Sequence, residues 1–274
     1  MCRLLIASKN AVTDYNTRHG ILKLLEHLEL ECGGQGAGMV FCKNKVLFGL
    51  EKGLNIPMST FSSLMLRVNY DSVLFHTRIR SVSDKSNENC HPFVDLDNAL
   101  AMNGTEDGFS ALGNALGKTD TELIFDLIKG RKMKSNLKAL AKLSSVFVGY
   151  ANGLPFAFKN YGQLCEYKIK NGFFFSSSFP IDVKSSKLYS NFWYIDGKRS
   201  EAPKIEPAHY NYGTYNYSSY FTDIYKHNPN YSYSSPETIG ESSSYNEGYE
   251  EGYEAGYEDG RTARAEIEGT SDEF

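Results

Sequence analysis

Short apolar runs alternate with amphipathic stretches along the first 200 residues, and this pattern predicts both strands and helices. Strands are predicted where the apolar runs are short and continuous, at 2–8, 71–79 and 98–103. Helices are predicted where apolar residues recur at helical spacing, at 20–31, 119–129 and 134–143. Several further strands follow the last helix. Strands at both ends of the region, joined by hairpins, predict an α+β fold of stacked antiparallel sheets with helices outside.

The composition of the chain changes near residue 200. From 201 to 274 the sequence is rich in Tyr, Ser, Asn and Gly and poor in aliphatic residues, so it cannot bury enough apolar surface to offset the entropy lost on ordering. We therefore predict a folded domain at 1–200 and a mostly disordered tail at 201–274. Tyr and Gly recur every four residues near its end, which leaves two interpretations open: a solvating low-complexity segment, or a helix near 245–268 that folds on a partner.

Charge and cysteine usage exclude several function classes. The net charge of −4 provides no basic surface for nucleic acid. The five cysteines lack the spacing of a disulfide framework or a zinc site, and neither a metal nor a cofactor is predicted. The N-terminus lacks the long apolar core of a signal peptide, and no apolar stretch approaches the roughly 18 residues of a membrane span. We expect a cytoplasmic protein without a membrane partner.

The second residue of the chain, Cys2, is a candidate nucleophile. Removal of Met1 would make it the N-terminal residue. Its α-amine, with a reference pKa of about 7.7–8.0, could then accept the thiol proton as a general base. An incidental cysteine is the simpler interpretation when this residue is considered alone.

The polar segment that follows the strand at 71–79 contains candidates for substrate binding. Arg78 stands at the strand end, where its guanidinium fork could hold a carboxylate through two parallel hydrogen bonds. Arg80 is a second candidate on the same face of the strand. His76 and His91 have no third ligand at recognisable spacing, so we interpret them as core histidines with satisfied hydrogen bonds.

Two further motifs carry candidate chemistry. Asn103 and Gly104 form a turn signal after a strand, and together they could supply a side-chain amide and a backbone N–H to an oxyanion. Asp120 begins a helix that Thr119 could cap, with Glu122 in the capping-box position. Asp120 is therefore either a helix-start acid favoured by the helix dipole or an anion that binds a substrate ammonium.

The order of these motifs resembles the glutaminase domain of class II glutamine amidotransferases. Cys2 comes first, followed by "GGQGAGMV", "HTR…ENCHPF", "MNG", "TDTE" and "FFFSSS", so the resemblance covers roughly residues 2–195. These enzymes are N-terminal-nucleophile hydrolases, and the resemblance implies a four-layer αββα sandwich. The chain is similar to the compact, stand-alone members more than to the large biosynthetic enzymes.

The resemblance also implies a role for each candidate residue. Cys2 matches the nucleophile, and Arg78 matches the arginine that holds the substrate α-carboxylate. Asn103 and Gly104 match the oxyanion-hole pair, and Asp120 matches the carboxylate that holds the substrate α-ammonium. The implied reaction is hydrolysis of the glutamine side-chain amide to glutamate and ammonia through a Cys2 glutamyl thioester.

Three functions remain compatible with the sequence. The first is a glutaminase that supplies ammonia to a separate synthase partner. The second is a hydrolase of γ-glutamyl amides in a larger metabolite, and the third is an inactive scaffold whose tail binds a partner. Met102 stands where the family commonly has His, and Phe75 where it commonly has Gly. These departures concern the wall of the pocket, and therefore the substrate.

Overall fold

The computed structural model describes residues 2–79, 85–130, 132–190 and 192–201. Within these ranges lie six helices: α1 (Lys9–Arg18), α2 (Ile21–Cys32), α3 (Met58–Arg67), α4 (Asp107–Leu116), α5 (Asp120–Ile128) and α6 (Met133–Leu140). The same ranges hold thirteen strands: β1 (Arg3–Ser8), β2 (Ala37–Lys43), β3 (Val46–Gly53), β4 (Ser72–Thr77), β5 (Phe93–Asp95), β6 (Asn98–Asn103), β7 (Val146–Ala151), β8 (Leu154–Lys159), β9 (Cys165–Glu166), β10 (Phe174–Ser176), β11 (Ser186–Lys187), β12 (Phe192–Ile195) and β13 (Lys198–Glu201).

The strands form two sheets whose neighbouring strands are antiparallel. The first sheet has seven strands in the order β11-β9-β10-β1-β4-β2-β3, and the second has six in the order β13-β12-β8-β7-β6-β5. Strands that follow one another in sequence, such as β7 and β8, are often neighbours, so tight hairpins make many of the connections. The predicted antiparallel architecture is confirmed.

Three apolar layers hold the sheets and helices together. Leu4 and Ile6 of β1 pack between the two sheets with Ala99 of β6. The intervening side chains point the other way: Leu5 packs beneath α1, α2 and α3, and Leu100 packs beneath α4, α5 and α6. Because successive side chains of a strand point to opposite faces, each sheet is apolar on both sides. The fold is therefore α+β with the layer order αββα, as predicted.

The structure adds three helices that the apolar pattern did not predict, namely α1, α3 and α4. The first of these is largely polar and buries only Ala11, Val12 and Tyr15. The Tyr15 ring packs against Tyr167 and Phe174, with ring centroids 5.2 Å apart in both pairs. Tertiary packing thus stabilises a helix whose own sequence gives a weak signal.

The last described strand, β13, ends at Glu201. Residues 202–274 of the predicted tail, including the predicted helix near 245–268, lie outside the described residues, as does Arg80. The domain boundary at 200 and the disordered tail therefore stay predictions. None of the helices in the described ranges is both long and apolar enough to cross a membrane.

Candidate active site

Side-chain alternation along three strands places three candidate residues in the layer between the sheets, here called the inter-sheet layer. Three apolar side chains mark it: Leu4 of β1, Leu74 of β4 and Ala101 of β6. Cys2, Arg78 and Asn103 lie an even number of residues from these markers, at or just beyond the same strands. Since strand side chains alternate with a period of two, all three candidates share the face of their marker.

Pairing of β1 with β4 brings Cys2 and Arg78 to the same end of the first sheet. Arg3 is opposite Thr77 in this antiparallel pair. The pair of positions that follows beyond the end of the two strands is therefore Cys2 and Arg78. The half-buried Cys2 thiol donates a hydrogen bond to the carbonyl oxygen of Ile79, with Sγ and O 3.3 Å apart. The nucleophile candidate and the carboxylate-binding candidate are therefore neighbours.

The pKa of the Cys2 thiol depends on its burial and on the charged groups around it. Burial raises this pKa above the ordinary cysteine value, which favours the neutral thiol. The Arg78 guanidinium acts in the opposite direction and lowers it, whereas the Asp120 carboxylate raises it. A cation and an anion thus both lie within electrostatic range of the sulfur, as a site for the two charged ends of an amino acid requires.

The Gly-rich segment 33–38 holds the backbone of Arg78. The Arg78 N–H donates to the carbonyl oxygen of Gly36 at 2.7 Å, and the Arg78 carbonyl accepts from the N–H of Gln35 at 3.0 Å. Arg78 itself is only 4% exposed. A guanidinium so far removed from water interacts strongly with an anion, which suits it to a substrate carboxylate.

Asn103 and Gly104 form the turn at the end of β6. Asn103 is buried, and its Oδ1 atom has no hydrogen-bond partner among the described residues. Gly104 has a φ of +142°, a conformation that favours glycine. A Cβ atom on Gly104 would also meet the Ser145 hydroxyl, so the turn approaches its neighbour closely because this residue has no side chain.

Asp120 is the first residue of α5 and is only 7% exposed. The predicted cap is confirmed, because Thr119 Oγ1 accepts a hydrogen bond from the Glu122 N–H at 2.9 Å. The Asp120 carboxylate accepts four hydrogen bonds: from Glu106 N at 3.1 Å, Ser110 Oγ at 3.3 Å, Thr121 N at 2.7 Å and Thr121 Oγ1 at 3.3 Å. Burial nevertheless raises its pKa, and these hydrogen bonds oppose that rise.

Two buried histidines connect the strands that carry Arg78 and Asn103. The His76 Nε2 atom of β4 lies 3.3 Å from the carbonyl oxygen of Met102 in β6, and 3.2 Å from His91 Nδ1. Both histidines are buried, as predicted. The prediction that their hydrogen bonds are satisfied is wrong for His76 Nδ1, which has no partner among the described residues. Those residues include no group of three or more His, Cys, Asp or Glu side chains that could hold a metal ion.

Sequence reasoning missed Glu106, which lies two residues beyond the Asn103–Gly104 turn. Its backbone N–H donates to Asp120, and its side chain binds residues 144 and 145. The segment "NGTEDGF" gives only a turn signal, because the partners of Glu106 are distant in sequence. The structure alone reveals this connection.

No family model matches the sequence, and no curated protein matches it. Similarity appears among solved structures. Glutamine phosphoribosylpyrophosphate amidotransferase from B. subtilis, complexed with ADP and GMP, superposes with a TM-score of 0.53 at 18% identity. This match covers 73% of the present chain. The chain has the fold of class II glutamine amidotransferases.

A second solved structure, described as the allosteric regulatory enzyme of purine biosynthesis, gives a TM-score of 0.52 at 17% identity over 71% of this chain. The present chain spans about half the length of these two proteins, 49% of the first and 46% of the second. A glutamine aminotransferase class-II domain protein from Silicibacter pomeroyi matches more weakly, with a TM-score of 0.45. At such identities the likeness establishes the fold, and the predicted fold is confirmed.

Proposed function

We propose that the protein hydrolyses the side-chain amide of glutamine to glutamate and ammonia, as a class II glutamine amidotransferase does. One observation carries this proposal: the pairing of β1 with β4 places Cys2 beside the buried Arg78, and the Arg78 guanidinium lowers the pKa of the Cys2 thiol while the buried Asp120 carboxylate raises it. A free amino acid has one anionic and one cationic group at its α-carbon, so it requires this pair of charges. The shared fold with a glutamine phosphoribosylpyrophosphate amidotransferase supports the same conclusion.

Arg78 and Asp120 are the proposed substrate-binding residues. Arg78 binds the α-carboxylate through its guanidinium fork. Asp120 binds the α-ammonium, and its own hydrogen bonds from the chain fix the direction of its carboxylate oxygens. The bound substrate then presents its side-chain amide to Cys2, and this orientation is the main contribution of the two residues to the rate.

Cys2 is the proposed nucleophile once Met1 has been removed. Burial keeps the resting thiol neutral, so a base must accept its proton as the sulfur attacks the amide carbon. The α-amine of Cys2 is that base, because it is covalently attached to the nucleophile and titrates near neutrality. The hydrogen bond from the thiol to the Ile79 carbonyl must break for this transfer to occur.

Asn103 and Gly104 stabilise the oxyanion that forms when sulfur adds to the amide carbon. The Asn103 side-chain amide and the Gly104 N–H are the proposed donors, and loss of one such donor typically costs about 2.7–4 kcal/mol of transition-state stabilisation. The C–N bond then breaks, and ammonia leaves with the proton carried by the Cys2 amine. Water hydrolyses the resulting glutamyl thioester to glutamate and restores the thiol.

The proposal also states where the ammonia goes and where the protein acts. The ammonia is supplied to a separate synthase partner, and the protein is cytoplasmic, where a reducing environment keeps a catalytic thiol free. The transfer of ammonia would be visible as glutamate release that accelerates when the partner and its acceptor substrate are added.

The test is a glutamate-release assay with L-glutamine on the full chain. Wild type should release glutamate, and Cys2→Ala should not, because the nucleophile is absent. Cys32→Ala is the matched control, since Cys32 is another half-buried free cysteine. Intact mass should show that Met1 is absent from the active protein. Equal activity of wild type and Cys2→Ala would overturn the proposal.

A further inference from the structure

The side chain of Glu106 makes an unusually dense set of hydrogen bonds beside the candidate active site. A single carboxylate oxygen, Oε1, accepts from the N–H groups of Ser144 and Ser145 at 2.8 Å each. It also accepts from the hydroxyls of Ser144 at 3.1 Å and Ser145 at 2.7 Å. Four donors converging on one oxygen fix this side chain firmly against the start of β7.

The backbone of Glu106 binds a proposed substrate-binding group. Its N–H donates to Asp120 Oδ2 at 3.1 Å, and the Ser110 hydroxyl donates to the same oxygen at 3.3 Å. Glu106 is the N-cap of α4, and Ser110 lies in the first turns of that helix. The position of Glu106 therefore determines where two of the donors to the Asp120 carboxylate lie.

The residues that bind the Glu106 side chain also support the proposed oxyanion turn. The Ser145 hydroxyl lies so close to Gly104 that a Cβ atom on the glycine would collide with it. Ser145 Oγ is in turn oriented by its 2.7 Å hydrogen bond to Glu106. A continuous series of contacts thus runs from Gly104 through Ser145 and Glu106 to Asp120.

We propose that Glu106 is a positioning residue that fixes the oxyanion turn at 103–104 relative to the Asp120 carboxylate. This inference rests on the proposed function, because it gives Glu106 a role in the same reaction without contact to the substrate. The side-chain amide carbon and the α-ammonium of glutamine belong to one small molecule. Their two binding groups must therefore keep a fixed separation for the amide to meet both the nucleophile and the oxyanion donors.

A carboxylate suits this role better than a neutral side chain. Hydrogen bonds to an ionised acceptor are roughly twice as strong as those between neutral groups. Burial raises the pKa of Glu106, and the hydrogen bonds from Ser145 and Ser144 oppose that rise. Glu106→Gln retains one oxygen acceptor of similar size but loses the charge, so it is the conservative variant for the test.

The test compares Glu106→Ala and Glu106→Gln with the neighbouring exposed acid as matched control, Asp107→Asn. We expect Glu106→Ala to lower kcat for L-glutamine by about tenfold to a hundredfold, because the oxyanion donors are displaced. Glu106→Gln should recover part of this loss, and Asp107→Asn should stay within about twofold of wild type. Ser145→Ala, which removes one of the four hydrogen bonds, provides a milder variant if Glu106→Ala does not fold.

A second measurement distinguishes positioning from a general loss of structure. Competitive inhibition constants are measured for L-glutamate and for glutarate, which lacks the α-ammonium. Wild type should favour L-glutamate, and this preference should shrink in Glu106→Ala and, to a smaller degree, in Ser145→Ala, because Asp120 is displaced. A merely structural defect would weaken both inhibitors equally and leave the preference unchanged.

The outcomes separate this inference from the proposed function. A wild-type protein that does not hydrolyse glutamine overturns the proposed function, and this inference falls with it. An active wild type whose folded Glu106→Ala variant retains kcat and the preference for L-glutamate overturns this inference alone. Equal weakening of the inhibition by L-glutamate and by glutarate in Glu106→Ala also overturns this inference alone. Should Glu106→Ala not fold, an unchanged preference in Ser145→Ala overturns the inference.

Discussion

Acidification from pH 7 to pH 5 is expected to destabilise the protein through the buried pair His76 and His91. Burial lowers the pKa of His76 to about 3, and it lowers the pKa of His91 well below the ordinary histidine value. An unfolded histidine takes up a proton near pH 6.5, whereas these two stay neutral in the folded state. The unfolded state therefore binds more protons in this window, and the free energy of unfolding falls as the pH falls.

The magnitude follows from the two protonation equilibria. For a histidine that titrates at pH 6.5 when unfolded and stays neutral when folded, the free energy of unfolding drops by about 2 kcal/mol between pH 7 and pH 5. His76, whose pKa is about 3, contributes this loss of about 2 kcal/mol, and His91 adds a loss of the same sign. Burial raises the pKa values of Asp120 and Glu106, and proton uptake by these carboxyls in the folded state opposes part of the loss.

Denaturant unfolding of the full chain at several pH values between 7 and 5 measures this effect. Wild type is compared with His76→Gln, which should reduce the pH-dependent loss by about 2 kcal/mol, and with His91→Gln, which should also reduce it. Because the carboxyls are unchanged, the difference between wild type and variant isolates the histidine contribution. A His76→Gln protein with the wild-type pH dependence would refute the reasoning.

Three further predictions concern the candidate site. Arg78→Lys and Asp120→Asn should each raise KM for L-glutamine by roughly tenfold to a hundredfold in steady-state assays, because each removes a charge-assisted hydrogen bond to the substrate. A KM within twofold of wild type would contradict the assignment of that residue to substrate binding. Gly104→Ala should lower the free energy of unfolding by about 2 kcal/mol or more in denaturant titrations, because the φ of Gly104 is positive and the new Cβ meets Ser145. Unchanged stability would contradict this prediction. Thr119→Ala should cost about 1 kcal/mol in the same titration, because the Glu122 N–H loses its cap, and no loss would contradict it.

The strands could be predicted because their sequences are apolar on both faces. β4 and β6 are buried at every position, so each contains a short continuous apolar run, 73–75 in β4 and 99–102 in β6. Two of the three unpredicted helices escaped prediction for different reasons. α1 is polar and depends on contacts of Tyr15 with distant rings, and α4 contains Gly108 and Gly113, which lower helix propensity.

The candidate site residues could be proposed from sequence, but their proximity could not. Motif order and the chemistry of each side chain pointed to Cys2, Arg78 and Asp120. The proximity of Cys2 and Arg78 depends on the pairing of β1 with β4, which lie about 70 residues apart in sequence. The role of Glu106 could not be predicted for the same reason, because its side-chain partners are 38 and 39 residues away in sequence.

The central claim is that Cys2 is the nucleophile of a site built for a free amino acid. Its most direct test treats the full chain with a glutamine analogue in which a chloromethyl ketone replaces the side-chain amide, so that chloride leaves as a thiol sulfur is alkylated. Peptide mass spectrometry then locates the modification. The account predicts alkylation at the Cys2 sulfur of a protein that has lost Met1, protection by L-glutamine, and slow reaction in Arg78→Lys and Asp120→Asn. Modification of another cysteine, or of Cys2 without protection by glutamine, would contradict it.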